Sequence, residues 1–117
     1  MKFLSIYVTP ERNSPPPLEE MERMQKLVED GMNAGFLIQV EGCLPSKLGA
    51  RVRQADGRTT VTDGPFAEAK EVVGGFAILN AASREEAIQI TKDFLQVAGD
   101  GMCELRQLYE APSGPSA

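Results

Sequence analysis

The stretch Asp63-Gly64-Pro65-Phe66 lies between two strand-like runs, with Lys70 four residues further on. A carboxylate at a strand end, facing a cavity between sheet and loop, can act as a general base or a polar anchor. It can equally belong to the turn, as an Asx-type acceptor beside a glycine of free φ and a proline of fixed φ. Both readings are open. Phe66 then plugs into the core. Lys70 is either a solvated charge or the counter-ion of an anionic ligand. Ser46 and Arg51, from the loop and hairpin adjoining the motif, can line the same mouth. Tyr7 offers a phenol, as a core or interface tyrosine or as an acid. Tyr7, Ser46, Arg51, Gly64, Pro65, Phe66 and Lys70 thus form the candidate ligand-binding set, with Asp63 as the candidate catalytic group.

The composition narrows the chemistry. There is no histidine, so Ser46 has no triad partner and the commonest zinc and iron ligand sets are missing. The expectation is a site without metal or organic cofactor, working through Asp, Glu, Lys, Tyr or Cys. Cys43 and Cys103 are far apart and form no CxxC, which predicts two buried free thiols in a reducing compartment. Cys43 has no basic residue before Lys47 to activate it as a nucleophile. The net charge is -5, from 12 basic and 17 acidic residues without a basic run, which argues against nucleic acid. No apolar run reaches the roughly 20 residues that span a bilayer, and the N-terminus alternates like a strand. A cytoplasmic protein with no membrane partner is expected.

These groups need elements to position them. Lys2–Val8 reads as a strand with Leu4, Ile6 and Val8 on one side and Phe3, Ser5 and Tyr7 on the other. After a loop ending in three prolines, Leu18–Ala34 reads as a helix with an apolar stripe of Leu18, Met21, Met24, Leu27 and Val28. Pro17 suits its first position, and Gly35 or Gly31 its end. Phe36–Glu41 is a short strand. Ala50–Gln54 and Arg58–Thr62 flank Asp56-Gly57, the signal of a type I′ hairpin. Val72–Asn80 is the next strand. Ser83 and Glu86 make a capping box for a helix to Ala98, ended by Gly99. Cys103–Tyr109 is a final strand. The order β-α-β-(hairpin)-β-α-β is the α+β, ferredoxin-like βαββαβ arrangement with an inserted hairpin. It fills one domain over residues 1–110, with 111–117 as a flexible tail. The sheet face away from the helices, carrying Phe3 and Tyr7, would need a cover, which predicts a homodimer.

With these elements in place, VTDGPFAEAKEVVGGF (61–76) resembles the signature of the YCII-related proteins, in the subgroup named for its Asp-Gly-Pro-Phe motif. Glu41-Gly42-Cys43-Leu44-Pro45-Ser46 is similar to that family's glycine-leucine-proline loop, and the matching order runs from Lys2 to Tyr109. The resemblance implies a dimeric α+β barrel of ferredoxin-like subunits and says little about reaction. Some relatives carry a suggested His and Asp catalytic pair; here only Asp63 carries over. The subgroup's frequent association with extracytoplasmic-function sigma factors implies a regulatory accessory role. Two functions follow as expectations. One is a small-molecule site around Asp63 with cofactor-independent acid/base chemistry. The other is a non-enzymatic module that senses a ligand or binds a protein partner.

Overall fold

A computed structural model describes residues 1–12, 14–66 and 68–110. The tail expected over 111–117 lies outside them. Six strands and two helices follow in the order β1 (Lys2–Thr9), α1 (Leu18–Ala34), β2 (Leu37–Gly42), β3 (Ala50–Ala55), β4 (Arg58–Asp63), β5 (Val72–Asn80), α2 (Arg84–Ala98) and β6 (Met102–Gln107), with one 3₁₀ turn at Ser46–Leu48. Four strands form an antiparallel sheet in the order β2-β5-β1-β6, and β3-β4 forms a separate two-stranded ribbon. This is the ferredoxin-like α+β fold with a hairpin inserted between its second and third sheet strands.

Local chemistry accounts for the boundaries. Asp56 and Gly57 have φ of 52° and 77°, as a type I′ turn requires, and Arg58 pairs opposite Ala55. The Ser83 hydroxyl accepts the Glu86 N–H at 3.1 Å, and the Glu86 carboxylate reaches back to the Ala82 N–H at 3.3 Å. Helix α1 ends at Gly35, whose N–H bonds the Met32 carbonyl. Gly31 stays inside the helix, where Phe36 and Leu37 pass too closely for a Cβ.

The two faces of β1 are the reverse of the expectation. Phe3, opposite Leu79, is buried in the core with Ala81 and Ala87, and Tyr7 stacks edge-on against Phe94 of α2 at 5.3 Å. Leu4, Ile6 and Val8 point to the open side. Alternation cannot choose between two apolar faces. Aromatic rings that reach the helices across the sheet decide it, leaving the shorter aliphatic groups outside.

The packing is uneven. Only Gly31 of α1 is buried, while Leu18 and Met21 of the expected stripe are 69% and 50% exposed. The N-terminal half of α1 therefore stands off the sheet. The hairpin is exposed along its whole length. Both thiols are free, but Cys43 is exposed rather than buried, because it lies in the loop leaving β2. Cys103, beneath Ser5, is half-buried, and burial pushes its thiol pKa up. Among the described residues no helix is long and apolar enough to cross a membrane.

Candidate functional site

Where α1 stands off the sheet there is an open cavity of about 900 Å³. Its floor is the helix-facing side of β1 and β5, with Tyr7 and Ala77. Its walls are Met24 and Val28 from α1 and Ile90 and Phe94 from α2. The volume lies within the range of small-molecule pockets, and so does the apolar character with few polar groups.

The polar groups gather at the mouth. Glu11, just past the end of β1, lines the cavity. Its carboxylate accepts the Ser46 N–H at 2.7 Å and the Ser46 hydroxyl at 2.6 and 2.8 Å to its two oxygens. Those bonds, the hydroxyl first, hold the Glu11 carboxyl below the usual glutamate range, so it stays ionised. Arg12 grips Glu20 of α1 with a two-pronged pair at 2.8 and 3.1 Å, tying the loop to the helix. Tyr7 donates its hydroxyl to the Asp100 carbonyl at 3.0 Å. Among the described residues no group of three or more Cys, Asp or Glu side chains is arranged to hold a metal ion.

The predicted residues are distributed around this cavity rather than within it. Tyr7 lines it. Ser46 is buried directly behind Glu11. Gly64 packs on the Ser46 carbonyl, where a Cβ would overlap the oxygen, and its N–H bonds the Gly49 carbonyl at 2.9 Å. The Phe66 N–H reaches the Ser46 hydroxyl at 3.4 Å. Arg51 lies 4.0 Å over the Phe66 ring and pairs with Glu68 at 2.6 Å. Pro65 and Lys70 are exposed.

Asp63 does end its strand, but it is exposed and outside the cavity. The hairpin forms its own ribbon, which carries its last residue away from the sheet. The Asx-type bond does not form either, because the residue two positions on is Pro65, which has no N–H to donate. Gly64 is also not among the glycines of positive φ; close approach to Ser46 is what requires it. Glu11 is not among the candidates drawn from the sequence. The available signal was an acid immediately after the first strand, ahead of a proline-rich loop.

Comparison with known proteins matches residues 1–111 to the YCII-related domain model. An uncharacterized protein of Rhizobium meliloti (strain 1021) is 37% identical over 78 residues, covering 66% of this chain and 63% of that protein. The chain thus spans less than two thirds of that relative's length.

Proposed function

The chain belongs to the family of YCII-related domains, and from that premise we propose that it binds a small molecule in the cavity between sheet and helices. The observation that carries this reading is Glu11, an ionised carboxylate fixed by Ser46 at the mouth of a predominantly apolar space. In this reading Asp63-Gly64-Pro65-Phe66, the motif that supports assignment to the Asp-Gly-Pro-Phe subgroup, is the scaffold of the site. Gly64 and Phe66 position Ser46, and Ser46 positions Glu11. Acid/base chemistry without a cofactor would run on Glu11 and Tyr7. A carboxylate stabilised in its ionised form is a weak base, however, so the geometry favours binding over turnover. The free thiols suit a reducing, cytoplasmic compartment.

Fluorescence titration with the neutral apolar dye Nile red tests the site. The dye should saturate the protein, and Met24→Trp, which fills the cavity from α1, should weaken it about tenfold or more, a loss of about 1.4 kcal/mol. Dye binding indifferent to Met24→Trp would sink the reading.

One observation favours a second reading, a protein-binding regulatory module. Val52 and Val61 face each other across the hairpin, a ribbon separate from the main sheet, and are 69% and 64% exposed. Such a pair suits a partner surface, in keeping with an accessory to a sigma factor. Loss of a partner on Val52→Ser with dye binding intact would favour that module.

A further inference from the structure

Five charged side chains line the cavity. Glu11, Glu20, Glu41 and Asp93 are acidic and Arg12 is basic, which leaves three net negative charges around an apolar interior. The single guanidinium is already engaged in its two-pronged bond with Glu20. An anionic head would therefore meet repulsion and no free cation among the described residues that line the cavity. A cationic head would meet Glu11. Ser46 has two hydrogens to give that carboxylate, the backbone N–H and the hydroxyl, whereas a carboxylate has about four acceptor positions. Acceptor capacity remains for the donors of an ammonium. The apolar walls of α1 and α2 suit a hydrocarbon body behind that head.

We propose that the cavity selects cationic amphiphiles, molecules with an ammonium head held by Glu11 at the mouth and an alkyl or aryl body between sheet and helices. The inference rests on the cavity being a ligand site, and it names the class of ligand. Glu11 remains charged across the neutral range, since the Ser46 hydrogen bonds stabilise its ionised form. Selectivity is set by sign as well as by fit, because the same field that attracts an amine disfavours a fatty acid of the same length.

Displacement of Nile red by octylammonium, octanol and octanoate, equal in chain length and different in charge, separates the two claims. Octylammonium should bind about fivefold or more tighter than octanol, the scale of one exposed ion pair, and octanoate should bind weakest. The gap should shrink in about 1 M salt, where the screening length falls to about 3 Å. Glu11→Gln should bring octylammonium down to the affinity of octanol. Octanoate displacing the dye as well as octylammonium would overturn the charge selectivity while leaving the cavity as a ligand site. Failure of the dye and all three octyl compounds to bind would overturn both. Should Glu11→Gln lose its circular dichroism signal, the rank order and salt response of the parent protein decide alone.

Discussion

Ser46 gives both its backbone N–H and its hydroxyl to the carboxylate of Glu11, joining the loop after β1 to the 3₁₀ turn before the hairpin across 35 positions of sequence. Ser46→Ala removes the hydroxyl and keeps the N–H. It should lower stability, because the charge-assisted bond to Glu11 is lost while the N–H bond stays. Chemical denaturation of the two proteins at neutral pH measures it.

The same pair carries a pH signature. The folded-state pKa of Glu11 lies below its unfolded value, chiefly through the Ser46 hydroxyl. A depressed acid contributes stability that is fully present above the unfolded pKa and is lost as pH falls through the folded one. The stability difference between parent and Ser46→Ala should therefore be flat above about pH 5 and shrink as pH drops below about 4, near and under the ordinary glutamate value. A difference that grew on acidification would contradict the assignment of Glu11 as the acceptor.

Asp63→Asn and Gly64→Ala should diverge although the residues are adjacent. Asp63 is exposed, with no side-chain hydrogen bond among the described residues, so the loss of its charge should change stability by less than about 0.5 kcal/mol. A methyl on Gly64 would overlap the Ser46 carbonyl and come within 3.2 Å of the Lys47 Cα, both rigid backbone. Gly64→Ala should cost about 1–3 kcal/mol or more, and should also weaken dye binding by displacing Ser46 from Glu11. Urea midpoints and Nile red titration read the two effects. Equal midpoints for both variants would remove the close-approach argument.

Tyr7→Phe keeps the ring against Phe94 and loses only the hydroxyl, whose shortest bond is to the Asp100 carbonyl at 3.0 Å, with the Gly99 and Ala98 carbonyls at 3.4 and 3.5 Å. The hydroxyl sits at an exposed carbonyl, so the loss should be about 1 kcal/mol or less. Tyr7→Ala should cost distinctly more than Tyr7→Phe, because it also removes the half-buried ring that packs on Phe94. The thermal midpoints of the two variants separate ring packing from hydroxyl bonding.

The fold was legible because its signals are local. The Asp56-Gly57 turn, the Ser83–Glu86 cap and the period of Val72–Asn80 each depend on neighbouring residues, and each element forms within a residue or two of its expected bounds. The site was less legible because its central contact is not local. Nothing near Glu11 in the sequence announces Ser46, and nothing near Asp63 announces that the hairpin leaves the sheet. The motif did point to the right neighbourhood: Gly64 and Phe66 pack on Ser46, one step behind the carboxylate. The faces of β1 are ambiguous in the sequence for a related reason. With apolar residues on both sides of the strand, only the tertiary partners Leu79 and Phe94 decide which side is inside.

That reassignment changes which residues should carry the proposed dimer. The open side of the sheet presents Leu4 beside Ile78, Ile6 beside Phe76 and Val8 beside Val73, with Met102 at the edge. Val73 and Met102 are 49% and 48% exposed, and among the described residues neither helix covers this side. A contiguous apolar sheet face of this kind is stabilised by a cover, and a second copy of the same face is the simplest one. Ile6 lies near the centre of the patch, so Ile6→Glu should convert a dimer into a monomer of 12.7 kDa in light scattering. The variant should retain its far-ultraviolet circular dichroism, because Ile6 is not part of the core cluster around Phe3. Tyr7→Phe, on the opposite face, should leave the mass at twice the monomer. A parent protein that already scatters as a monomer at micromolar concentration would refute the sheet-to-sheet dimer. A dimer that survived Ile6→Glu would move the contact to the exposed valines of the hairpin.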